Sequence, residues 1–262
     1  MRIRRGLRSG AFLPITSWIE VVVLLIAGIK MKRFYKNAVV IEMGGGYGIE
    51  LDGKLIRTPR KSAFLVDTRK VADAVAAEWM KQGDEIVVED MPILRLANTA
   101  IDMISHQRSA VVDNLAGYGN SDLLCYRVDS PTELVRRQNE LWSPWLVWAR
   151  DKLHAELRTT SGIHHITQNK NALAALRAAV DRNDNMELAS LNDLVTISGS
   201  LVLGLAVCDG VLDVETAWKA VRLDDNYQAE KWGEDTEAEA RAASLFEEFK
   251  NAVLFLSFHR IN

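Results

Sequence analysis

Apolar positions along this chain follow two different spacings, and the change falls near Pro92. From Phe34 they alternate with polar ones in short runs. "AVVIEM" (38–43), "IEL" (49–51) and "KLIRT" (54–58) read as strands, joined by the glycine-rich "GGGYG" and by Asp52-Gly53. Asp-Gly between apolar runs is a strong hairpin signal, because both turn positions require positive φ. "AFLVD" (63–67) offers a further strand. Over 67–83 the period becomes helical: Val71, Val75 and Trp79 form an apolar stripe, Asp67 or Thr68 can cap its start, and Gly83 closes it. "DEIVVE" (84–89) returns to a strand.

Beyond Pro92 helical spacing dominates. "PILRLANTAIDMISHQR" (92–108) opens on a proline suited to a first helical turn, and 109–118 suggest another short helix. "DLLCYRV" (122–128) fits a strand or a buried helical turn. Residues 131–153 read as two helices broken at Pro144, since proline removes a backbone donor. An extended stretch follows, and then helices near 169–183, 187–208, 213–223 and 236–258. The expected class is α+β: a small β-rich α+β domain over 31–92, then an all-α orthogonal helical bundle over 93–262. Residues 1–30 belong to neither.

Composition narrows the function. At 262 residues and 48% hydrophobic, the chain can bury a substantial core. Cys125 and Cys208 form no CxxC pair and fit small apolar residues in a reducing compartment. The net charge of −3 hides a local +4 in residues 1–30, which leaves −7 for the remainder. An acidic body without a basic stripe excludes nucleic acid as a partner, because phosphate binding depends on Lys and Arg. "MRIRRGLRSG" followed by "VVVLLIAGI" admits three readings: an incidental extension ahead of Met31, an organelle transit peptide, or a secretory signal or anchor. The apolar run is far below the ~20 residues that span a bilayer, so stable membrane insertion is not expected.

Few stretches carry candidate chemistry. The glycines of "GGGYG" sit between strands and lack the following helix and Gly-Lys-Ser/Thr that a phosphate loop needs, so they read as a hairpin loop. His164-His165 has no HExxH or cysteine cluster to complete a metal site. No metal or cofactor is expected. Trp142, Trp145 and Trp148 recur at helical spacing, which suits core packing or an aromatic partner surface. Arg57, Arg60 and Lys61 around Pro59 read as a solvated turn. In "AEKWGEDTEAEAR" (229–241), Trp232 and Gly233 precede Glu234, Asp235, Glu237 and Glu239. Carboxylates suit a helix start, where the dipole favours them. The same cluster suits a partner-facing acidic edge beside Trp232.

Eight stretches taken together resemble one family. "RFYKNAVV", "YGIELDGKLIRTP", "AVAAEWMKQG", "MPILRLANTAID", "DLLCYR", "QNELWSPWLVWA", "SGSLVLGLAV" and "AEKWGEDTEAEAR" occur in order between about Lys32 and Phe258. They resemble the mitochondrial and α-proteobacterial assembly chaperones of the ATP synthase F(1) head that handle its α subunit. The resemblance implies a β-containing domain before a helical bundle and no enzymatic activity. It also implies a role in shielding the free α subunit until β subunits replace it. A glutamate after Trp-Gly is functional in that family; Glu237 matches it best, with Glu234, Asp235, Glu239 and Trp232 as neighbouring partner contacts. Short family members starting near Met31 imply a bacterial cytoplasm, the alternative being the mitochondrial matrix, and a monomer when free. The competing class is a small-molecule enzyme using Glu237 as acid/base in an interdomain pocket.

Overall fold

The computed structural model describes residues 31–162 and 164–260; the three readings of the first thirty residues lie outside them. β1 (Met31–Lys32) pairs antiparallel with β5 (Glu85–Ile86). β2 (Ala38–Met43), β3 (Gly46–Leu51) and β4 (Lys54–Leu55) form a meander in that order. Asp52 and Gly53 have φ of 49° and 81°, the left-handed pair that the Asp-Gly turn demands. The register sets Ala38 against Leu51 and Val40 against Ile49, on the face covered by α1 (Arg69–Lys81). Val71, Ala72, Val75, Ala76 and Trp79 are the buried stripe of that helix. Its cap is Thr68, whose Oγ1 accepts from Val71 N and donates to the carbonyl of Phe258, 3.1 Å away.

Two expected strands are shorter than the pattern implies. "AFLVD" contributes only isolated bridges, Tyr47 to Val66 and Arg57 to Ala63. The outer edge of β3 is shared: Ile56 N–H donates to Ile49 O at 2.9 Å, so Val66 is left to pair with Tyr47. "DEIVVE" stops after Ile86 because Val87 N–H turns to the Gln82 side chain (2.7 Å), and Val88–Asp90 curl into a 3-10 turn.

The run after Pro92 is one helical path with a widened turn. α2 (Pro92–Thr99) passes through a π-turn at Ala100–Ile104 into α3 (Ser105–Gly117). No side chain of its own caps α2. Glu78 of α1 does so instead, its two oxygens accepting from Ile93 N (2.7 Å) and Leu94 N (2.8 Å). Burial pushes the Glu78 carboxyl up to about 7 despite those two amides. Asp102 lies in the widened turn and is only 4% exposed. Its carboxylate accepts from Thr58 Oγ1 (2.6 Å) and Arg60 N (2.8 Å), and its carbonyl accepts from the Arg60 guanidinium (3.0 Å). The Arg57–Lys61 turn is therefore not simply solvated: it is fastened to the helical part.

α4 (Thr132–Leu153) runs unbroken through Pro144, which corrects the two-helix expectation. The proline costs one backbone bond. The helix holds because Trp142 is wholly buried, its Nε1 donating to Ala220 O at 2.8 Å, while Ala149 and Leu153 bury the second half. Trp145 and Trp148 are half-buried against the same core. β6 (Tyr126–Arg127) and β7 (Thr160–Ser161) form a short parallel pair beside it.

α5 (Lys170–Asp181) leads to α6 (Asn185–Ser198) and α7 (Leu201–Cys208). The expected single helix over 187–208 is divided because Gly199 adopts φ 66°. All 8 residues of α7 are buried. Its first turn is held by the fully buried carboxylate of Asp122, which accepts from Ser200 Oγ (2.8 Å), Val202 N (3.0 Å) and Leu124 N (3.1 Å). α8 (Val214–Val221), α9 (Leu223–Trp232) and α10 (Thr236–Arg260) complete the chain. α9 occupies a stretch that the apolar pattern left unassigned. α10 lies against α6, α2 and α1, so one apolar core runs from Met31 to Leu256. At its end His259 Nε2 meets Asp184 Oδ2 at 2.6 Å, and Arg260 pairs with Glu187 at 2.7 Å.

Trp142→Ala is expected to cost about 3–5 kcal/mol in urea unfolding, well beyond Trp145→Ala or Trp148→Ala. Glu78→Ala leaves two helix-start amides without their acceptor and should cost about 1–3 kcal/mol in the same assay. The Asp184 bond raises the His259 pKa, so that contribution is complete below about pH 6.5 and fades as pH climbs through the folded value. Burial works to raise Asp184, yet the His259 bond and its cap amides hold it low, so its contribution fades in acid. Asn still caps α6; Asp184→Asn should therefore lower the melting temperature more near pH 5.5 than near pH 9.

Candidate functional site

The stretch after α9 is built by a break in the helix. Gly233 takes φ 98°, which ends α9 and exposes Trp232 at 79%. Asp235 then starts α10, its Oδ1 accepting from Glu237 N (2.9 Å) and Ala238 N (3.3 Å). This is an ordinary Asx cap on the positive end of a helix dipole. Glu239 bonds Arg222 at 2.6 Å, and Arg222 also holds Asp225 at 2.7 Å. The four carboxylates thus divide into two kinds. Asp235 and Glu239 are engaged within the chain, whereas the side chains of Glu234 and Glu237 meet no partner among the described residues and stand exposed.

Beneath Trp232 a charged lattice stiffens α9 against α4. Arg137 pairs with Glu230 (2.9 Å) and Glu133 (2.7 Å), and Lys231 reaches Glu133 at 3.1 Å. Arg137 and Lys231 also flank the Tyr227 ring, 5.3 Å and 5.1 Å from its centroid. Their paired cations hold the Glu133 and Glu230 carboxyls below the ordinary carboxylate range. Exposed pairs of this kind contribute little stability one by one, but they fix the direction of the helix end that carries Trp232.

The structure brings all five residues expected in the partner edge, Trp232, Glu234, Asp235, Glu237 and Glu239, into one exposed segment. An open cleft of about 480 Å3 is lined by Ser62, Asp67, His106 and Asp184, and another of about 320 Å3 by Glu89, Arg95, Asp193 and Glu248. Neither reaches Glu237. Among the described residues no His, Cys, Asp and Glu group is placed to hold a metal ion, and no helix is long and apolar enough to cross a membrane. His165 Nδ1 lies 3.2 Å from Tyr126 Oη. Sequence reasoning missed Arg222, the residue that separates Glu239 from Glu237 in role. Its side chain acts 17 positions away, beyond any local periodicity.

Comparison with known proteins gives this surface its setting. The profile of the ATP12 chaperone protein family matches residues 32–150. The mitochondrial protein atp12 of Schizosaccharomyces pombe is 24% identical over 214 residues, covering 77% of this chain and 74% of that protein. Crystal structures of Paracoccus denitrificans Atp12 and of a variant with aspartate replaced by lysine superpose with a TM-score of 0.84 at 41% identity. The match covers 87% of this chain and 98% of theirs. The Atu1473 protein of Agrobacterium tumefaciens has the same TM-score, 0.84, at 34% identity, over 92% of this chain and 96% of that one. A helical body behind a small set of N-terminal strands is the form this chain shares with the Paracoccus structures. This chain belongs to the ATP12 chaperone family, the family that its eight ordered stretches resemble.

Proposed function

We propose that this protein is an assembly chaperone for the F(1) head of ATP synthase, shielding the free α subunit until β subunits replace it. It works by binding and carries out no turnover. The observation that supports this best is Trp232: a large aromatic side chain exposed at 79%, held on a stiffened helix end and followed by two unpaired carboxylates. Tryptophan is among the residue types enriched at the anchor points of protein interfaces. An unassembled subunit exposes interface that is an aggregation hazard, and its cover must leave when the correct neighbour arrives. One aromatic anchor with a charged rim suits moderate affinity, with the charges setting partner and orientation. Glu237 is the proposed client contact, with Trp232 as anchor and Glu234 as a second charge. Asp235 and Glu239 act indirectly, by forming the helix start that presents them. The greater identity to the Paracoccus protein, 41% against 24% for the mitochondrial one, favours a bacterial cytoplasm.

The test uses recovery of assembled F(1) from free subunits. Glu237 only follows a cap that Asp235 already provides, so Glu237→Lys should leave the melting temperature within a few degrees. Losing a desolvated charge contact costs about 2–5 kcal/mol, so α-subunit binding should weaken at least ~30-fold. Trp232→Ala should likewise impair binding without unfolding the protein, and Glu234→Lys should do less than Glu237→Lys. An unfolded Glu237→Lys would make the residue structural, and normal assembly by all three variants would leave this surface without a client.

A further inference from the structure

A second unpartnered surface lies on the strand edge of β2. The register pairs Val39 with Glu50, Ile41 with Gly48 and Met43 with Gly46, and Asp52 N–H donates to Asn37 O. In an antiparallel ladder this alternation turns the amides and carbonyls of Val39, Ile41 and Met43 toward β3. Those of Ala38, Val40 and Glu42 therefore face away from the sheet. Ala38 N–H is covered by the Met80 sulfur at 3.2 Å. Val40 and Glu42 have no backbone partner on that side among the described residues.

The sheet face beside this edge carries an apolar row along β2, with Val39 53% exposed and Ile41 and Met43 half-exposed. Leu55, 42% exposed, joins it from β4, and Glu50 lies between Val39 and Leu55 on the same face. Gly48 keeps the patch continuous: a Cβ there would lie 2.9 Å from the Met43 sulfur and 3.3 Å from Leu55 Cδ2, so both side chains close over bare backbone. An open edge next to an apolar row invites another strand.

We propose that β2 is a docking edge for an extended segment of a client protein, one with apolar side chains at alternate positions and a lysine or arginine beside Glu42. The inference rests on reading the chain as a holder of unassembled clients. Charge selects this occupant over a second copy of the chain. Met80 leaves only Val40 and Glu42 open, so two copies pairing through them would set Val40 against Glu42 of the other copy, with Ile41 on the two-fold axis. That register places the two Glu42 carboxylates on one face as diagonal neighbours, where like charges repel. A basic residue at that position of a foreign strand is attracted instead. Four to six residues of strand supply the main-chain bonds, and the Val39–Ile41–Met43 row receives alternate side chains.

Amide hydrogen exchange of the full chain, alone and with the free F(1) α subunit, tests the proposal. The Val40 and Glu42 amides should exchange freely alone and slow at least about tenfold in the complex. Glu42→Lys should weaken binding about tenfold. Val40→Pro, tolerable because this amide points off the edge, should do the same. An α subunit held with Val40 and Glu42 still exchanging freely overturns the docking edge and leaves the function standing. Failure to hold the α subunit at all overturns both. Protection that rises with the concentration of this chain alone would identify a second copy as the occupant and overturn the proposal.

Discussion

A helix with no polar face must be enclosed on every side, and Leu201–Cys208 is such a helix. It is too short to be stable alone, so the surrounding helices supply both its burial and its reason to form. Two contacts set where it lies. The Asp122 carboxylate gathers the amide and hydroxyl donors at its start, a charge whose pKa burial raises and whose placement at a helix N-terminus offsets part of that cost. Gly204 permits the closest approach, since a Cβ there would lie 2.6 Å from Val195 Cγ2. Helices Asn185–Ser198 and Leu201–Cys208 can nest because that side chain is missing. The long helices, Thr132–Leu153 and Thr236–Arg260, then wrap the remaining faces.

Much of this was legible in the amino-acid pattern, and the failures share a cause. The Arg69–Lys81 helix and the Asp52-Gly53 hairpin could be read because their signals are local: a stripe, a cap, a dipeptide. Pro144 misled because proline's penalty is local, whereas the Trp142 anchor that offsets it lies with a carbonyl 78 residues on. The Thr58–Asp102 and Glu78–Ile93 contacts gave no sequence signal for the same reason. At the acidic edge the residues could be named from the resemblance, but their division into engaged and unengaged carboxylates depended on Arg222, which no periodicity marks.

The charged surface illustrates how little a count of ion pairs conveys. Glu133, Glu230 and Glu239 are as acidic in sequence as Glu234 and Glu237, yet their charges are answered within the chain. What stays unanswered at the surface is the remainder. After the Leu223–Trp232 helix that remainder is two carboxylates and an indole; along the Ala38–Met43 edge it is two amides, two carbonyls and a carboxylate. Both lie on or beside regular helices and strands, so a partner taken up there would not have to bear the entropy of ordering a long loop.

The hydroxyl of Thr68 bonds the carbonyl of Phe258, 190 positions further along. This joins the first turn of an early helix to the last turn of the final one. Synthesis runs from the N-terminus, so the Thr68 hydroxyl has no partner until Phe258 has emerged from the ribosome. Loop closure over such a span is entropically slow and is rewarded only when the intervening core has formed. The chain thus spends its synthesis with the faces that Thr236–Arg260 will cover still open to water. A member of an assembly-chaperone family thereby passes through an exposed, incomplete stage of its own.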